Sequence, residues 1–145
     1  MNPKEITKAK AIGKTVAEHY GVSLKYIFQN TRKTDVVRKR QMVQHLTKKH
    51  TLLSLAESGM VFMEYGKKYD HATILHSKKS VINDIETNRG FREDYVTITS
   101  KVLTALRKLE KEKDKDFYSF RSDVINACRM SKTTDILKNE LIALL

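Results

Sequence analysis

Proline occurs once and glycine five times in 145 residues. So little punctuation predicts long helices joined by short connections. Alternating β-branched runs are also absent, and Met, Leu, Lys, Glu and Ala are common, so the expected fold class is all-α. Cys128 is the only cysteine, which excludes an internal disulfide or a multi-cysteine zinc site and fits a reducing compartment. Met1 to Lys10 is polar and charged, without the apolar stretch of a secretory signal. The longest apolar runs, Met60–Met63 and Leu141–Leu145, are far too short to span a bilayer. These shortages predict a soluble cytoplasmic protein with no membrane partner.

Acidic residues are scarce in one part of the chain only. Residues 1–108 hold 21 Lys and Arg against 10 Asp and Glu, whereas 109–145 hold seven of each. The whole net charge of +11 therefore lies in the first 108 residues. Such an excess calls for a polyanionic partner. An apolar fraction of 40% is enough for a packed core at this length.

Helical periodicity is readable almost throughout. Asn2-Pro3-Lys4-Glu5 starts a helix with Ile12, Val16 and Tyr20 on one face, and Gly21 stops it. Ser23 caps a short helix with Leu24, Ile27 and Phe28 inward. Residues 30–35 form a polar, basic loop. Asp35 is expected to cap the next helix, Val36 to about His50, with Val36, Val43 and Leu46 inward. A short apolar stretch, Leu52 to Met63, ends near Gly66. Asp70 opens a helix to about Thr87 with Leu75, Ile82 and Ile85 inward, and Asn88-Arg89-Gly90 ends it. Phe91, Tyr95, Ile98, Val102, Leu106 and Leu109 give the cleanest stripe in the chain. The alternating run Lys111 to Asp116 reads equally as a linker or a solvated helix surface. Beyond it, Phe117, Phe120, Val124 and Cys128 mark one amphipathic segment, and Ile136, Leu137, Leu141 and Leu144 another. Cys128 and the aromatic residues read as core.

Three features carry the functional expectation. One is the basic cluster Arg32, Lys33, Arg38, Lys39 and Arg40, with Asp35 the only acid among them. The second is a short helix, a turn and a new helix beginning Asp70-His71-Ala72-Thr73. The third is Lys78 and Lys79 further along that helix. A helix-turn-helix sets the first residues of its second helix against base edges in the major groove. Hydroxyls and methyls suit that position, and free amides at a helix start can hold phosphate. Asp70 reads either as a cap alone or as a cap that also touches DNA. Double-stranded DNA is the expected partner.

The chain then resembles a known family. Lys14-Thr15-Val16-Ala17-Glu18-His19-Tyr20, Arg38-Lys39-Arg40-Gln41-Met42, Ser54-Leu55-Ala56-Glu57-Ser58-Gly59 and above all Asp70-His71-Ala72-Thr73-Ile74-Leu75-His76 are similar to segments of the C-terminal DNA-binding domain of the bacterial replication initiator DnaA. The signature there runs Asp-His-Thr-Thr-Val-Leu-His. The match covers roughly residues 4–108 in order and implies a Trp-repressor-like, multi-helix domain with a C-terminal helical extension over 109–145. The resemblance puts Arg32 in the minor groove and sets Arg40, Gln41 and Lys48 on the DNA beside the recognition helix. It gives Asp70, His71, Thr73 and His76 to bases or phosphates. Ala72 stands where the family has a base-reading threonine, Lys39 where it has proline, and Thr34 where a second loop arginine is common. The turn from Met63 to Tyr69 is about four residues longer than the family's. These departures imply an altered or relaxed box preference.

Other chemistry is not expected. Gly13-Lys14-Thr15 imitates the end of a P-loop, but Lys8 stands where its first glycine belongs and a helix surrounds it, so no nucleotide is expected. His71 and His76 lie roughly 140° apart around a helix, which does not make a metal site. Asp70 has no partner acid for catalysis, so neither enzyme activity nor a cofactor is expected. The resulting expectation is a stand-alone duplex reader for replication control or transcription, associated with the nucleoid and of a kind suited to a mobile element or phage. The alternative is a protein-interaction module that keeps the fold but binds a replication or transcription protein. For residues 109–145, folding back, homodimerisation and docking to another protein all remain open.

Overall fold

A computed structural model describes residues 1–130, with side chains through Glu112. The described chain is helical: α1 Pro3–Tyr20, α2 Leu24–Ile27, α3 Thr34–His50, α4 Leu55–Met60, a 3-10 turn Met63–Tyr65, α5 His71–Thr87 and α6 Arg89–Met130. Two compact units are present, Met1–Leu106 and Arg107–Leu145. Cys128, Phe117, Phe120 and Val124 fall where side chains are not described, and Ile136, Leu137, Leu141 and Leu144 lie outside the described residues.

Short-range chemistry sets most helix ends in the first unit. Asn2 accepts from the Lys4 amide with Pro3 in the first turn, and Gly21 closes α1 in the left-handed region at φ 65°. Ser23 caps α2 through the Tyr26 amide. Ser54 and Glu57 form a reciprocal capping box on α4. Asn88 links two helices. It ends α5, and its side chain accepts from the Phe91 amide at 3.1 Å, so α6 begins at once instead of after a loop.

The third helix departs from expectation at its start. Asp35 lies inside the first turn and not at the cap, which is Lys33 without a side-chain bond. Asp35 instead accepts from Lys39 at 2.7 Å, one turn on.

Helix α3 packs against α1, α2, α4 and α5. Ile12 and Val16 of α1, Ile27 at the end of α2 with Phe28 just after it, and Met42, Val43 and Leu46 of α3 join Leu53, Phe62 and Ile74 in one core. Phe91, Ile98 and Val102 add the first part of α6. Each such side chain contributes about 1.5–3 kcal/mol relative to exposure. Phe28 and Phe62 stack with centroids 4.7 Å apart beneath the turn before α5.

Helix α5 uses a different face from the one expected. Ile74, Ser77 and Val81 are buried, whereas Leu75 is 45% and Ile82 42% exposed. Ile85 is half-buried. The apolar positions of α5 cover an arc of roughly 120°, too wide for periodicity to select the inward edge. Packing of Ile74 and Val81 on α3 selects it.

One buried charge ties the start of the chain to this core. Glu5, 4% exposed, accepts from the Leu52 amide at 2.8 Å and from Lys8 at 3.4 Å. Those bonds, the backbone one foremost, hold its carboxyl below the usual range.

Candidate nucleic-acid interface

Helices α4 and α5 form the helix-turn-helix, and the long connection between them is a folded element. After Met60 the chain makes the 3-10 turn Met63–Tyr65, then extends to Asp70. Lys10 of α1 pairs with Glu64 and lies about 5 Å from the ring centres of Phe62 and Tyr65. The additional residues are thereby fastened to α1. Where the turn closes, the Tyr69 amide donates to Gly59 O at 3.0 Å, and a Cβ on Gly59 would lie 1.9 Å from Tyr69 O. Only glycine fits this close approach.

Asp70 caps α5. Its carboxylate accepts from the Thr73 hydroxyl at 2.7 Å and the Thr73 amide at 2.8 Å. These bonds, the hydroxyl first, hold the Asp70 carboxyl below its usual range. His71 and Ala72 stand exposed at the helix start, followed by His76 and Lys79. His76 Nε2 lies 3.2 Å from the Ser80 hydroxyl.

Arg40 holds the basic loop. It is 8% exposed, and its guanidinium donates to the carbonyls of Ile27 at 3.1 Å, Gln29 at 2.5 Å and Thr31 at 3.4 Å. Its other face lies 5.5 Å from the ring centre of Tyr69, immediately before the α5 cap. The sequence assigned Arg40 to the DNA. In the fold its guanidinium bonds the carbonyls of Ile27, Gln29 and Thr31 and lies against Tyr69, just before α5.

The other expected residues separate into groups. Arg32, Arg38 and Gln41 line one polar cleft of about 270 Å³ with Ser80 and Asn83 of α5. Arg38 reaches Asp84 there at 3.7 Å. Lys33, exposed, stands at the start of α3 beside this cleft's Arg32. Lys39 lies apart, its ammonium bonded to Asp35 and 4.9 Å from the Tyr20 ring centre. Lys48 and Lys78 lie on the other flank of α5, lining an apolar groove.

Ser80 and Asn83 were not among the sequence candidates. Their signal was available, since both follow His76 at helical spacing on a polar face. Gln44 was missed for a different reason. It is buried and accepts from the Ser77 hydroxyl at 2.6 Å, a contact between residues 33 positions apart. Gly13, Lys14 and Thr15 lie within α1, with Gly13 against the Phe62 ring. Among the described residues, no group of three or more His, Cys, Asp or Glu is arranged to hold a metal, and no helix is long and apolar enough to cross a membrane.

Residues 9–81 match the family described as the bacterial DnaA protein helix-turn-helix. That span is half of the chain and contains α3, α4, the turn and most of α5. The chain belongs to this family. It is 36% identical over 92 residues to a chromosomal replication initiator protein DnaA of Porphyromonas gingivalis, covering 63% of this chain and 18% of that protein. With the DnaA of Bacteroides fragilis it shares 37% over 83 residues, 57% of this chain and 17% of the relative. With that of Flavobacterium psychrophilum it shares 33% over 101 residues, 70% and 20% respectively. The chain thus spans about a fifth of the length of these DnaA relatives.

Proposed function

We propose that this DnaA-type helix-turn-helix binds double-stranded DNA with sequence preference and without turnover. In this reading the start of α5 enters the major groove, and the loop carrying Arg32 and Lys33 follows the adjacent minor groove. The observation that supports it best is the joint anchoring of both elements by Arg40, which bonds the carbonyls of Ile27, Gln29 and Thr31 leading into the loop and packs on Tyr69. Arg40 then acts by positioning, while Arg32, Lys33 and Arg38 supply charge. Gln41, Ser80 and Asn83 supply hydrogen bonds along the cleft between them.

His71, Ala72, Thr73, His76 and Lys79 complete the DNA face. Ala72 offers a methyl to a thymine where a hydroxyl would also hydrogen-bond. Asp70 and Thr73 satisfy each other, so in this reading Thr73 contributes its methyl group to base contact and not its hydroxyl. The relatives' printed name connects the family with chromosomal replication initiation, which fits a role at initiator-type boxes or in nearby transcription.

The test is fluorescence anisotropy on a duplex bearing an initiator-type box and on a scrambled duplex, each over a salt series. About six phosphate contacts give a log–log slope near −5. A tenfold or larger preference for the box supports a specific reader. Equal binding to both overturns sequence reading, and no binding to either overturns the proposal.

A further inference from the structure

The turn between α4 and α5 is longer than the family's, and its added residues carry charge that the DNA reading has not yet used. Between Phe62 and Asp70 stand one acid, Glu64, and two bases, Lys67 and Lys68, all three exposed. The acid is occupied, since Glu64 pairs with Lys10 of α1. The two lysines are not neutralised, for among the described residues neither forms an ion pair. They stand just ahead of Asp70, the cap of the recognition helix.

Exposed lysines on a loose loop are ordinary solvated surface, but this turn is fastened at three points. Near its start, Lys10 lies about 5 Å from the ring centres of Phe62 and Tyr65. In its middle, Gly66 packs so closely on Phe28 O that a Cβ has no room, and Phe28 comes just before the basic loop. At its end, the Tyr69 amide donates to Gly59 O at 3.0 Å. The buried Tyr69 ring then serves two cations. The Lys67 ammonium lies 5.4 Å from its centre and the Arg40 guanidinium 5.5 Å, while Arg40 also bonds the carbonyls of Ile27, Gln29 and Thr31. The turn, the basic loop and the start of α5 are thus held as one block. Charges presented from a fixed backbone lose less freedom on binding than charges on a loose one.

The position of the pair selects its ligand. Base edges are read by the first residues of the recognition helix, and groups flanking that helix meet the sugar–phosphate backbone. A lysine ammonium suits a phosphate as a compact point charge. We infer, on the basis of the duplex binding proposed above, that Lys67 and Lys68 grip the DNA backbone beside the groove that α5 enters, adding about two sequence-independent phosphate contacts. The long turn thereby offsets contacts missing at Ala72 and Thr34, holding affinity while box preference relaxes.

The test is anisotropy with the full chain on the box duplex and the scrambled duplex, each over a salt series, beside urea unfolding. Lys67→Ala with Lys68→Ala is expected to weaken binding to both duplexes by the same factor, about tenfold, and to make the log–log salt slope shallower by close to two. The ratio between the duplexes and the unfolding midpoint should not change. Lys67→Arg with Lys68→Arg should restore both affinity and slope. Lys68→Ala alone, which leaves the Tyr69 contact in place, should remove about half of the effect on the slope even if the double variant is less stable. Lys108→Ala with Lys111→Ala removes the same charge from the second unit and should leave the slope as it is. An unchanged slope in the Lys67 and Lys68 variants would overturn the inference, as would an equal loss in the Lys108 and Lys111 control. A fall on the box duplex alone would also overturn it, by assigning the lysines to base reading. Failure of the wild-type chain to bind either duplex would instead overturn the proposed function, and the inference with it.

Discussion

Arg40 and Arg32 lie eight residues apart and differ in what their charges do. The Arg40 guanidinium is buried among three carbonyls, so removing it leaves those acceptors without partners. Arg40→Ala is expected to cost about 2–3 kcal/mol in urea unfolding and to weaken binding to every duplex. Arg40→Lys should not restore stability, because one ammonium cannot reproduce a planar fork. Arg32→Ala should leave the unfolding midpoint unchanged and weaken duplex binding alone. His45 gives a second test at this scale. Burial, with Lys49 and Lys78 nearby, pushes its pKa down to about 4 from an ordinary 6.5. Between those values the unfolded chain binds more protons than the folded one, so stability falls as pH drops from 6.5 towards 4. Glu5 adds a loss below 4.5 as the carboxylate that accepts from Leu52 is protonated. Urea midpoints at pH 7, 6 and 5 should show this slope, and His45→Gln should reduce it, the half-buried His50, whose pKa burial also lowers, supplying the remainder.

At the scale of the element, α5 shows how far periodicity reaches. Its start was legible because Asp70 and Thr73 are three residues apart and the capping geometry is local. The basic loop was legible from its composition. The inward face was not, because Ile74, Leu75, Val81, Ile82 and Ile85 form one broad apolar arc and only neighbouring helices choose within it. Ile74→Ala is therefore expected to cost about 2–4 kcal/mol, and Leu75→Ala well under half of that, in the same unfolding experiment. Equal costs would put the boundary of the core elsewhere. Two features of α3 were also not legible, one local and one tertiary. Its start lies one residue earlier than Asp35, since Asp35 finds Lys39 along the helix, and Arg40 points inward because Ile27, Gln29 and Thr31 present their carbonyls there.

For the whole molecule, the charge and the core lie in the same stretch. All the buried hydrophobic residues described fall between Ala9 and Val102, within the unit Met1–Leu106, and the excess of basic residues lies within 1–108. We propose that 1–108 forms the binding domain and that 109–145 is an appendage. A fragment ending at Lys108 should melt cooperatively and keep the full-length chain's duplex affinity and salt slope. A non-cooperative melt would show that the core needs residues beyond it.

What the sequence determined by itself was whatever depends on neighbours along the chain. That includes the helical class, the caps at Asn2, Ser23 and Asp70, the stop at Gly21, the location of the charge and the signature that connects the chain to its family. Hydrogen bonds between residues two to four apart, and a simple count of charges, need no tertiary information. Only the tertiary structure decided which flank each lysine occupies, that Arg40 supports the loop from inside, and that Leu75 and Ile82 form the floor of a groove. Those outcomes depend on α3, α5 and α6 meeting across tens of residues of sequence, where side-chain volume and unpaired carbonyls set the orientation.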